Sequence, residues 1–131
     1  MSGLSVWVEV SPGALVDRIT ILEIKSERLR DRRKLDNVRR ELAALVASRE
    51  RALPAPPELD ALTAELREVN ADLWAVEDDL RACEARGEFG PGFVALARSV
   101  YRLNDRRAAL KRRIDALLGA RFRDEKQHPD Y

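Results

Sequence analysis

Two apolar rows of identical spacing constrain this chain more than any other feature. Leu59, Leu62, Leu66, Val69, Leu73, Val76, Leu80 and Cys83 alternate steps of three and four, and Phe93, Leu96, Val100, Leu103, Arg107, Leu110, Ile114 and Leu117 repeat the pattern. Such steps keep side chains on one stripe of a 3.6-residue helix, so each row is a seam that needs a partner. The break between them, Gly87-Glu88-Phe89-Gly90-Pro91-Gly92, is rich in turn formers and short. The two helices must therefore fold back as an antiparallel hairpin over residues 58–119. Setting Cys83 against Leu96 also sets Val76 against Leu103 and Val69 against Leu110, and it places Asp72 across from Arg107. Charge agrees with this partnership. Residues 58–86 carry nine acidic and three basic side chains, a net minus six, whereas residues 91–118 carry seven basic and two acidic, a net plus five.

The first half of the chain predicts two more helices over residues 12–53. Ser11 is a natural N-cap and Pro12 suits the first helical position, where its missing N–H would have had no partner. Helix A, Pro12 to Leu29, carries Leu15, Ile19 and Leu22 on one stripe and Val16, Ile21 and Ile24 on others. A helix apolar on several sides is surrounded, so Asp17, Arg18, Glu23 and Lys25 are expected near protein and in need of partners. The charged run Arg30 to Lys34 breaks the pattern, with Asp31 as an N-cap, and helix B carries Leu35, Val38, Leu42 and Leu45 as far as Pro54-Ala55-Pro56-Pro57. Residues 1–11 form an extended arm or, over residues 5–10, a short edge strand, and residues 120–131 a polar tail. The expected fold class is all-α: a long heptad hairpin plus two N-terminal helices, four-helix-bundle-like, in a single domain over residues 1–131.

With 24 basic and 23 acidic residues, no net field draws nucleic acid or an anionic membrane. Seven cations between Arg28 and Arg40 form a local basic cluster, but acids interrupt it and no aromatics stand ready to stack on bases, so nucleic acid is not expected as a partner. One cysteine excludes an internal disulfide, no apolar run spans a bilayer, and the N-terminus lacks a signal-peptide pattern, so a cytoplasmic location is expected.

Signatures for phosphate loops, serine or metal hydrolysis and metal-binding cysteine pairs are absent, so no cofactor and no metal is expected. Cys83 occupies a seam position and reads as a core residue, and His128 lies in the polar tail. Glu77-Asp78-Asp79 cannot converge on one ion from consecutive helical positions. Two sets of polar residues remain. Asp17, Arg18, Glu23 and Lys25 crowd helix A. Arg98, Tyr101, Asn104, Asp105 and Arg106 crowd helix D, where Arg107 stands in the seam itself. Facing each other in a bundle, these sets would form a pocket for a small anionic or polyhydroxylated molecule, held by forked Arg hydrogen bonds.

The motifs Ser11-Pro12-Gly13, Leu15 to Lys25 (LVDRITILEIK), Leu73-Trp74 with Glu77-Asp78, and Leu96 to Tyr101 (LARSVY) followed by Asn104-Asp105-Arg106-Arg107 resemble a family of short uncharacterised bacterial proteins classed as a domain of unknown function. The resemblance covers nearly the whole chain. It implies a helical, cytoplasmic protein, in some members encoded near glycosyltransferases or other surface-polysaccharide genes, and it implies no activity. The Asp17-Arg18-Ile19 region is also loosely similar to the first helix of all-helical chorismate mutases, enzymes that use no histidine. The leading functional expectation is a homo-oligomeric interaction or scaffold module, because two heptad seams exceed what one hairpin can bury. The alternative is an enzyme or binding protein for an anionic or sugar-like molecule.

Overall fold

Proline and glycine mark the helix ends. The computed structural model describes residues 3–122, 125, 128 and 129. It contains α1 (Pro12–Arg28), α2 (Arg32–Ala52), α3 (Pro57–Arg86) and α4 (Pro91–Leu118), and no strand among the described residues. The three prolines Pro12, Pro57 and Pro91 each open a helix. α3 and α4 thus begin slightly earlier than the apolar rows suggest, because Pro57 and Pro91 serve as first residues rather than as breakers. Gly87 and Gly119 end α3 and α4 in the left-handed conformation, at φ 66° and 67°. Asp31 caps α2 as expected, its Oδ1 accepting from the backbone N–H groups of Arg33 and Lys34. The arm, residues 3–10, is neither helix nor strand. The tail expected over residues 120–131 lies partly outside the described residues.

α3 and α4 pack along each other, α1 lies against both, and α2 touches α1 but neither of the other helices. The core joins Val16 of α1 to Leu59, Leu62, Leu66, Val69 and Leu73 of α3 and Leu110 and Ile114 of α4. Val69 and Leu110 share this core, Cys83 is buried and borders one hollow with Leu96, and Arg113 meets Glu65 at 3.8 Å, all consistent with the expected register. α1 is surrounded as its composition required, with Val16, Ile19, Leu22 and Ile24 all buried. It covers the α3 seam from Leu59 to Leu73, apolar surface that the sequence alone left for a second chain. α2 is the opposite case. None of its residues is fully buried, and Leu35, Val38, Leu42 and Leu45 are half-buried.

Ion pairs supplement these contacts. Arg18 forks onto Glu41 at 3.0 and 3.1 Å, joining α1 to α2, and Arg67 reaches Glu27 at 2.6 Å, joining α3 to α1. The Arg67 hydrogen bond and charge hold the Glu27 carboxyl below its ordinary range. Both pairs are exposed enough that each adds little.

The start of α1 is fixed by α4. Ser11 Oγ accepts from Ala14 N–H at 3.1 Å, Ser11 carbonyl from Leu15 N–H at 3.1 Å, and the Asp115 carboxylate from Gly13 N–H at 2.7 Å. Every leading N–H from Gly13 to Leu15 thus has a partner, and Asp115, fully buried, sets its charge at the positive end of the α1 dipole. Gly13 is required by this approach. A Cβ there would stand 2.9 Å from Asp115 Oδ1 and closer still to the backbone carbonyl of Lys111. Gly13→Ala should therefore destabilise the fold by about 1–3 kcal/mol. Helix propensity alone predicts a gain of about 1 kcal/mol, so chemical denaturation that showed Gly13→Ala more stable than wild type would refute this account of the contact.

Candidate functional site

Helical spacing assembles the site. On α1, Asp17, Thr20, Ile21, Ile24 and Lys25 recur at steps of three, four or one along one side; on α3, Asn70, Leu73, Trp74 and Glu77 do the same; on α4, Asn104 and Arg107 are three apart. These three stripes meet where α1 crosses the hairpin.

Asp17 is the centre, its side chain 6% exposed. Arg107 donates to it twice, Nε to Oδ1 at 2.9 Å and Nη2 to Oδ2 at 2.6 Å. The Asn70 amide donates to Asp17 Oδ1 at 2.9 Å and to Thr20 Oγ1 at 2.9 Å, and Thr20 Oγ1 donates to the Asp17 carbonyl at 2.8 Å. The seam arginine thus meets a carboxylate of α1, where the hairpin register alone had put Asp72 of α3 opposite it; Asp72 is exposed. A third helix had entered the seam, which the pairing of two helices could not reveal. A forked guanidinium–carboxylate pair with further donors on the acid is the geometry in which a buried ion pair offsets its desolvation.

Beside this network lies a cleft of about 230 Å³, lined by Ile21, Ile24, Lys25, Asn70, Leu73, Trp74, Glu77, Asn104 and Arg107. Its apolar side is aliphatic and indole. Its polar side offers an ammonium, a guanidinium, two amides and a carboxylate. The Arg28 guanidinium stands 5.9 Å from the centre of the Trp74 ring, a cation over an aromatic face.

Of the residues expected in one pocket, the structure brings together Asp17, Lys25 and Asn104 and disperses the rest. Arg18 turns to α2 and Glu41. Glu23 is half-buried and adds its charge to the hold on Arg67. Arg98 and Arg106 are exposed. Tyr101 and Asp105 border a separate hollow with His128 and Pro129. The dispersal follows from helix geometry: consecutive positions such as 104, 105 and 106 point about 100° apart and cannot all face one cleft. Asn70, Trp74 and Glu77 were not expected in the site, and Arg107 was marked only as a seam anomaly. The available signal was the 70, 73, 74, 77 stripe itself, a polar and aromatic row flanking an apolar seam. Among the described residues, no three His, Cys, Asp or Glu side chains gather as metal ligands would; Asp78 and Asp79 are exposed.

Fold and cleft together define the class: an all-α bundle of four helices with a small charged and aromatic cleft beside a buried ion pair. The chain belongs to a family of unknown function, DUF6165, whose model matches residues 6–128. That span contains all the motifs on which the resemblance rested. Searches against curated proteins and solved structures return no match. No helix among the described residues is long and apolar enough to cross a membrane.

Two outcomes follow from the electrostatics. Arg107→Ala leaves the Asp17 carboxylate buried without its cation, whereas Asp17→Ala leaves a guanidinium that is already 31% exposed and can turn to water. Arg107→Ala should therefore cost more stability than Asp17→Ala, about 3 kcal/mol at the lower end of the range for a broken buried pair, and denaturant titration of both variants checks the order. The Tyr101 hydroxyl has its pKa lowered first by a hydrogen bond with Arg98, with the charges of Arg98 and Arg102 adding to it. In Arg98→Ala the Tyr101 phenol should titrate at higher pH, read by ultraviolet absorbance against a Tyr101→Phe blank.

Proposed function

We propose that this chain is a single-domain binding protein for an anionic or sugar-like small molecule, held in the cleft between α1, α3 and α4. The observation that supports this most is the set of Lys25, Asn104 and Glu77 around the Trp74 indole, on a floor fixed by the Asp17–Arg107 pair. An indole face suits the apolar face of a sugar ring, amides and a carboxylate suit its hydroxyls, and the ammonium and guanidinium suit an acid group. The surface-polysaccharide context implied by the family resemblance points to the same ligand class. A thermal-shift screen against sugar acids and nucleotide sugars tests it. A ligand at a hundred times its Kd adds about 2.7 kcal/mol, a shift of several degrees for a chain of this length. Lys25→Ala should abolish the shift, and Arg106→Ala, outside the cleft, should keep it. No shift with any compound, or one that survives Lys25→Ala, overturns the reading.

A second reading, a homo-oligomeric interaction module, is favoured by the surface outside the bundle. Leu4, Val6, Trp7 and Val8 of the arm are mostly exposed, and α2 presents its outer side to no other helix. Exposed apolar groups in such a run mark interaction sites. The two readings are compatible, since the cleft and the arm involve different residues.

A further inference from the structure

Residues 4–10 read Leu-Ser-Val-Trp-Val-Glu-Val, and their apolar pattern is symmetric about Trp7: Val6 and Val8, then Leu4 and Val10, stand at equal distances from it. The residue types favour a strand, and alternation puts Leu4, Val6, Val8 and Val10 on one side. Among the described residues, no backbone group of residues 3–10 enters a backbone hydrogen bond. Leu4 is 99% exposed, Trp7 86%, Val6 79%, Val8 73% and Val10 53%. All five are apolar and more than half exposed, surface that a second copy can cover.

A groove of about 470 Å³ runs beside the arm, bordered by Trp7 and Val8, by Leu15 of α1, and by Leu45, Ala52 and Leu53 at the end of α2. It exists because α2 touches α1 alone. A two-stranded ribbon by itself is marginal in water, and this groove supplies the apolar surface such a ribbon needs.

We infer that two copies of this chain associate through their arms, residues 4–10 pairing antiparallel about Trp7 and each arm lying in the other copy's groove against α2. The inference rests on the interaction-module reading and names its partner, a second copy. Self-pairing of a symmetric segment makes the same patch serve both sides, as a two-fold interface requires. Val6 then faces Val8 and Leu4 faces Val10. Glu9 faces Ser5, so the two Glu9 carboxylates do not oppose each other.

Sedimentation of the full chain across the micromolar range tests this. The wild type should be a dimer and Val8→Lys a monomer at the same concentrations, with unchanged helicity because the arm lies outside the core, and with the concentration dependence of the wild-type melting temperature lost. With Cys83→Ser as background, a mixture of Val6→Cys and Val8→Cys chains should give the mixed disulfide in excess over either homodisulfide on mild oxidation. A wild type that stays monomeric overturns the inference. So does an excess of Val6–Val6 cross-link. A dimer indifferent to Val8→Lys overturns the arm pairing while leaving an interaction module through another surface, which separates the two failures.

Discussion

The structure depends on a carboxylate that cannot leave. Asp17 sits where three helices meet, and its oxygens accept from α3 and α4 while its own backbone carbonyl accepts from Thr20. Apolar contact alone would let α1 slide or rotate on the hairpin at modest cost, because aliphatic side chains tolerate many arrangements. Hydrogen bonds to a buried charge do not. A small rotation of α1 would leave Asp17 or Asn70 short of a partner, so the network selects one register from several that bury similar area. The cleft takes its shape from this choice, since its walls are the positions adjacent to the network on each helix.

Stability is unevenly distributed as a result. α1, α3 and α4 share a buried apolar core and a polar lock, whereas α2 has one neighbour and no fully buried residue. Local opening begins where buried contacts are fewest. α2 and the arm that borders it form the yielding side of the molecule, and the cleft lies on the rigid side, formed without any residue of α2. A site built on rigid helices can hold its donors in place before a ligand arrives.

Much of this was legible in the sequence because helical periodicity is a local signal. The hairpin, its register, the cap at Asp31, the start at Ser11-Pro12 and the enclosure of α1 all follow from spacing and residue type. The partner of Arg107 did not, because it lies on a helix 90 residues away whose position the hairpin does not fix. The site was half-legible for the same reason. Asp17, Lys25 and Asn104 were marked by being polar beside apolar stripes, but the neighbouring charges Arg18, Asp105 and Arg106 looked equally eligible, and only the three-dimensional azimuth of each helix separates them. Asn70 was hidden by its ordinary context between Val69 and Leu73.

The anchoring of α1 by Asp115 carries a consequence for how the protein is made. Gly13 and Asp115 are 102 residues apart, so the Gly13 N–H gains its carboxylate partner only after almost all of α4 has been made. Ribosomes add about 5–20 residues per second, and through those seconds the side of α1 that packs on α4 stays uncovered. The hairpin can assemble from neighbouring segments as soon as α4 emerges, but the fold becomes whole only when α4 meets the start of α1. A product that ends before α4 therefore lacks the Asp115 acceptor for Gly13 and leaves the core side of α1 and α3 uncovered.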